Sequence, residues 1–168
     1  MATHEFTVYL DRPPTDDDLD RLYEAGLDDT TPETENGRGL LHVHREADTL
    51  AAAIASAVDD VRRAGLDVIG LQDQDLVSLK TVATRTGRTY ESVRLLATGK
   101  RGPGGFPPVL SGDGWSLVSW TATAAWLQEH YDEPIDTDEH DRVLAAADHL
   151  LRAHSLLRDL GPLASLSA

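Results

Sequence analysis

The sequence predicts an α+β fold, and three observations carry that expectation. Residues 1–74 alternate strand and helix patterns in the order strand, helix, strand, strand, helix, strand. Residues 75–131 hold two short helix patterns meeting at a glycine, then two apolar runs separated by turn residues. Residues 132–168 carry one long apolar stripe at helical spacing.

In the first segment, Phe6, Val8 and Leu10 alternate with polar residues from His4 to Leu10, the pattern of a half-buried strand that Arg12-Pro13-Pro14 ends. Thr15 or Asp16 caps the next helix, where Asp16, Asp17 and Asp18 favour the positive end, Leu19, Leu22 and Tyr23 form the stripe, and Gly26 stops it. Asp28 to Thr31 reads as a short strand and Pro32 to Gly39 as polar and turn-rich. Gly39 to Arg45 is the next strand, with Leu41 and Val43 on one face. Thr49 caps a helix from Leu50 to Ala64, and Leu66, Val68, Ile69 and Leu71 make the last strand. That order is the split βαβ, or ferredoxin-like, arrangement, whose open sheet face is suited to a dimer or a partner.

The second segment opens with Ser78 as N-cap and Leu79, Val82 and Ala83 on one helical face. Gly87 permits the backbone of a tight turn. Thr89 then caps a helix whose Val93 and Leu96 point inward and whose Arg88, Tyr90, Glu91 and Arg94 fall on other faces. This is a helix-turn-helix pattern, in which the second helix enters the DNA major groove. Lys100 to Pro108 is a basic, glycine-rich loop whose amides and charges suit phosphates. Val109 and Leu110, Ser111 to Gly114, and Trp115 to Ser119 read as a hairpin, a wing after the recognition helix, and Thr121 as the cap of a closing helix.

Charge distribution points the same way. The chain of 168 residues has a net charge of −14, yet residues 76–127 hold six basic and two acidic groups, a net of +4, while residues 1–75 carry −12 and residues 128–168 carry −6. An electrostatic footprint on DNA needs its cations gathered in this way.

Ser78 to Arg94, Gly102 to Leu110 and Trp120 to Leu127 together resemble the winged helix-turn-helix domains of the MerR and excisionase (AlpA-like) superfamily. The resemblance implies base contacts from the second helix, placed here on Arg88, Tyr90, Ser92 and Arg94, and backbone contacts from Lys100 and Arg101. The hairpin tip departs from that pattern, carrying Asp113 and no Lys or Arg. With Thr89 at the helix start and Lys80 and Arg85 on phosphates, these nine residues form the expected DNA site. The expected protein is a bacterial-type transcriptional regulator acting as a dimer on double-stranded DNA. The runner-up is an antitoxin-like or adaptor protein whose acidic N-terminal domain binds a protein partner and whose helix-turn-helix is autoregulatory or vestigial.

The third segment predicts a helix capped by Thr137 or Asp138 and running to about Arg158, suited to docking or dimerisation through Val143, Leu144, Ala147, Leu150 and Leu151.

Other chemistries find weaker support. His42, His44 and Glu46 share a strand face at two-residue steps, but no second cluster matches them, so a polar solvent-facing row is expected and no metal. Asp16, Asp17, Asp18 and Asp20 are explained by helix-start capping. Trp115, Trp120 and Trp126 are expected in the core of the winged unit. The chain lacks a nucleophile elbow, a phosphate loop and HExxH, so no enzyme and no cofactor are expected. With no cysteine and no basic-then-apolar leader, a cytoplasmic protein with no membrane span is expected.

Overall fold

In the computed structural model the chain is α+β, with six α-helices and antiparallel sheet among the described residues. The structure describes residues 1–73, 75–112, 115–135, 139–157 and 161–167. It divides into two compact units, one formed by Met1–Gln72 with Val143–Ala168 and the other by Asp73–Arg142.

The first unit begins with β1 (Ala2–Leu10), where Phe6, Val8 and Leu10 are buried on one face. Helix α1 (Asp16–Glu24) starts in a capping box: Thr15 Oγ1 accepts from the Asp18 amide, and Asp18 accepts in return from the Thr15 amide at 2.8 Å. Strand β2 (Thr30–Glu35) extends four residues beyond the short strand expected at Asp28 to Thr31. The turn is Asn36-Gly37 alone, with φ of 51° and 77°, a two-residue loop in which both residues take the left-handed conformation. Pro32 is accommodated because β2 is an edge strand, where a missing donor costs no ladder bond.

Strand β3 (Arg38–Ala47) pairs with both β2 and β1. Helix α2 (Leu50–Arg63) is capped by Thr49, whose hydroxyl accepts from the Ala52 amide at 3.1 Å, and leads to β4 (Val68–Leu71). The sheet runs β2-β3-β1-β4, every pair antiparallel. Its core face, with Val8, Leu10, Leu41 and Val43, packs on Leu22, Ile54, Val58 and Val61. Arg45 lies on that face too, 8% exposed. Its five N–H donors are all used, on Asp29 (twice), Asp60, Ser56 and the Gly26 carbonyl.

The long C-terminal helix, α6 (Glu139–Leu156), joins this unit from Val143 onward. Leu144 and Leu151 enter the same core, and buried Asp148 accepts from the Leu71 amide at 2.7 Å. Its expected caps, Thr137 and Asp138, and its expected end at Arg158 lie outside the described residues. A 3-10 helix spans Gly161–Ser167.

The second unit runs β5 (Leu76–Ser78), α3 (Leu79–Thr86), α4 (Tyr90–Ala97), β6 (Leu110–Gly112), β7 (Trp115–Ser119) and α5 (Trp120–Tyr131). Its sheet order is β5-β7-β6, so the hairpin is extended by the strand that precedes the helix pair. The hairpin tip, Asp113 and Gly114, lies outside the described residues. Val77, Val82, Val93, Val118 and Trp120 form one apolar cluster and Leu96, Trp126 and Leu127 another.

Helix α5 starts two residues earlier than its sequence suggests. Ser119, not Thr121, is the N-cap and accepts from the Ala122 amide at 3.1 Å. Buried Asp75 explains the shift: its carboxylate takes the Thr121 amide and the Ser119 hydroxyl, each at 2.7 Å, and so supplies the acceptor a capping side chain would.

Candidate nucleic-acid interface

The helix pair is fixed by caps at its ends. The Ser78 hydroxyl accepts from the Thr81 amide at 3.1 Å. Gly87 closes α3 at φ 66° while its amide bonds the Ala83 carbonyl, and the Thr89 hydroxyl accepts from the Ser92 amide at 3.1 Å to start α4. Burial of Val82, Ala83, Val93 and Leu96 then decides which faces remain outward. Lys80, Arg85, Thr89, Tyr90, Lys100 and Arg101 are exposed, and Arg88, Ser92 and Arg94 are half-buried.

Two of the three arginines of the helix pair, Arg88 and Arg94, are paired with carboxylates. Arg94 donates from Nε and Nη2 to the two carboxylate oxygens of Glu91 at 2.9 and 2.7 Å, a fork-to-fork pair one turn apart. Hydrogen bonding by Arg94, with the nearby charges of Arg94 and Lys100, holds the Glu91 carboxyl below its ordinary pKa against a desolvation cost that opposes it. The same bond raises the guanidinium of Arg94, with Tyr90 adding a smaller charge effect. Tyr90, Glu91, Arg94 and Lys100 therefore belong to one electrostatic neighbourhood.

Arg88 is turned elsewhere. Its Nε donates to Glu133 at 3.0 Å, Nη2 reaches the same oxygen, and the guanidinium sits 4.6 Å from the centre of the Tyr131 ring. The structure does not join it to the Tyr90–Arg94 group. Arg85 lies over the Trp120 ring at 4.8 Å with its side chain exposed, an amphipathic placement that leaves the head group at the surface.

The loop after α4 is anchored at both ends. The Lys100 and Arg101 amides both bond the Leu95 carbonyl, at 3.0 and 3.2 Å, and the Gly104 carbonyl accepts from Trp126 Nε1 at 3.1 Å. Gly102 has a steric requirement: with φ at 83°, an added Cβ would stand 2.7 Å from the Tyr131 hydroxyl and 2.8 Å from Leu96. Phe106 meets Trp126 edge to face at 5.1 Å, so the aromatic residues buttress the loop from within. Trp120 and Trp126 are buried, as the sequence reading expects of the unit's tryptophans.

The acidic partners carry little signal in the sequence. Glu91, Glu133 and Asp75 decide where Arg94, Arg88 and the start of α5 sit, yet only Glu91, three residues before Arg94, offers a local spacing signal. Counted over 73–142 the unit has seven basic and eleven acidic residues, a net of −4, so its cations are a local patch on an acidic body.

On the first unit, His42 bonds Thr7 at 2.9 Å and Glu33 at 2.6 Å, and His44 lies 3.4 Å from Glu5. Among the described residues no group of three or more His, Cys, Asp or Glu is placed to hold a metal ion. Among them, too, no helix is long and apolar enough to cross a membrane. Comparison of the chain with protein-family models, with curated proteins and with solved structures finds no match.

Proposed function

We propose that this chain is a sequence-specific double-stranded DNA-binding protein, a cytoplasmic transcriptional regulator of bacterial type that acts as a dimer, and not an enzyme. One observation carries the reading: a capped second helix buries Val93 and Leu96 and turns Tyr90, Ser92 and a carboxylate-oriented Arg94 outward, beside the exposed cations Lys100 and Arg101. In this reading the second unit is a winged helix-turn-helix of the MerR and excisionase type, with β6 and β7 as the wing. The βαββαβ order and the β2-β3-β1-β4 sheet support a ferredoxin-like first unit.

Roles follow from exposure and chemistry. Arg94 reads a base, most simply the O6 and N7 acceptors of guanine. Tyr90 and Ser92 contact the groove beside it, and Thr89 donates its hydroxyl to a phosphate at the helix start. Lys80, Arg85, Lys100 and Arg101 bind phosphates and set register. Arg88 supports the turn through Glu133 and Tyr131.

The engaged Arg88 and the net charge of −4 on residues 73–142 favour a second reading, in which the chain is an antitoxin-like or adaptor protein with a protein partner for its acidic first unit. Selection of bound sequences from a random DNA pool, repeated at several salt concentrations, separates the two. Enrichment of one two-part motif supports the regulator. No enrichment and no retention even at low salt supports the adaptor.

A further inference from the structure

We propose that the trough between α2 and α6 in the first unit binds a small amphipathic carboxylate, an apolar chain ending in one carboxyl group. The site's origin is side-chain size. Ala51 and Ala55 stand on one wall and Ala146 and Ala147 on the other, so space that larger residues would fill stays open. The cavity measures about 480 Å³, inside the range of roughly 300–1,000 Å³ typical of small-molecule sites.

The walls are held from behind. Leu144 and Leu151 are buried in the core, and Asp148, 3% exposed, accepts from the Leu71 amide at 2.7 Å and from Arg152 Nε at 2.6 Å. Gly70 permits this approach, since a Cβ there would stand 2.8 Å from Asp148 Oδ1. With α6 seated in this way, its neighbouring stripe of Val143, Ala147, Leu150 and His154 lines the trough. Leu150 is 51% exposed. An exposed leucine alone says little, but one lining an apolar concavity is a contact surface for an apolar ligand.

The head group is assigned by the few polar residues of the lining, Asp59, Arg62 and His154. Arg62 touches Asp67 through Nε in a single long contact of 3.3 Å between two exposed side chains, a weak pair. The terminal nitrogens of its fork are the donors a carboxylate takes in bidentate geometry. His154 adds an imidazole donor, and Asp59 opposes an anion, so its removal should tighten binding.

The test is a titration of the full chain with sodium decanoate below its micelle-forming concentration, read from methyl ¹H–¹³C shifts, with decanol in parallel. Saturable shifts at Ile54, Val58 and Leu150 are expected. Arg62→Gln should weaken decanoate about tenfold or more, the loss of a charge-assisted bond, and leave decanol unchanged. Asp59→Asn should tighten decanoate alone. Ala55 and Ala146 are exposed, so Ala55→Trp and Ala146→Trp should keep the thermal midpoint and abolish binding of both compounds. Decanol binding as tightly as decanoate overturns the carboxylate assignment. Absence of saturable shifts, or binding that survives in both tryptophan variants, overturns the site.

Discussion

The salt dependence of DNA binding is the sharpest test of the proposed interface, because the structure separates cations available to phosphates from one that is not. Lys80, Arg85, Lys100 and Arg101 are exposed, whereas Arg88 is spent on Glu133 and Tyr131. Each phosphate neutralised contributes about −0.9 to the slope of log K against log salt, so four contacts give about −3.6 per protomer. Raising salt from about 50 to about 200 mM then weakens binding about 150-fold per protomer, and recruiting Arg88 as a fifth contact would make that about 500-fold.

The variants divide accordingly. Lys100→Ala and Arg101→Ala should each flatten the slope by about 0.9, with similar losses on selected and unrelated DNA. Arg94→Ala should cost about 1–3 kcal/mol on the selected sequence and relax preference at one base pair, with little change of slope. Arg88→Ala should leave the slope where it was and lower the unfolding midpoint, since it strands a half-buried Glu133. Fluorescence anisotropy on one selected duplex and one scrambled duplex, across five salt concentrations, measures all of these. A slope in Arg88→Ala flattened as much as in Arg101→Ala would refute the division, because it would mean that Arg88 leaves Glu133 for the backbone.

Other outcomes follow from packing and titration. Gly87→Ala meets no atom within 4 Å but must hold φ at 66°, so about 1–2 kcal/mol of backbone strain is expected, read as a lower urea midpoint by tryptophan fluorescence. Arg45→Met leaves Asp29 without its cation and Asp60 with only the exposed Arg63, so a cost of about 3 kcal/mol is expected, seen as earlier loss of Val43 and Val58 methyl signals in urea; adding Asp29→Asn and Asp60→Asn should recover much of it. Asp18 is held well below the usual carboxylate range, first by its bond from Arg12 and then by the Thr15 amide. Its folded pKa is thus depressed, so the stability it lends is full above the ordinary value near 3.9 and is lost as pH falls below that. Asp18→Asn should therefore flatten the fall of the thermal midpoint below about pH 4.

What was legible in the sequence was local. Ser78, Gly87, Thr89 and Thr49 announce their caps because the hydroxyl and its target amide are three residues apart, and Phe6-Val8-Leu10 announces its face by alternation. Asn36-Gly37 was equally local, since such a pair between strand-like runs favours a two-residue hairpin, but Pro32 and the flanking glutamates concealed it. What was illegible depends on distant partners. Asp75 meets Ser119 across 44 residues, Arg88 meets Glu133 across 45, and Asp148 meets Leu71 across 77. No periodicity encodes these, because each is a polar group satisfied only after two elements have packed. Arg45 was hidden for another reason: alternation along β3 puts it on the apolar face, where a charge is admissible only with Asp29 and Asp60 present.

The same distinction bears on how an acidic chain would choose DNA. Residues 76–127 sum to +4 and residues 73–142 to −4, and the difference comes from the stretches on either side of the helix pair and hairpin, Asp73, Asp75 and the acids beyond Leu127. Some of these are consumed internally, Asp75 at the start of α5 and Glu133 on Arg88, and so are not simply repulsive. The rest act on phosphates only within a screening length of about 8 Å at physiological salt. Sequence-independent affinity rests on phosphate contacts alone, so an acidic surround would lower it while leaving the proposed base contact of Arg94 intact. The ratio of specific to unrelated binding is then set mainly by α4, and neutralising Asp132 or Glu129 should raise affinity for scrambled DNA by as large a factor as for the selected sequence, or a larger one.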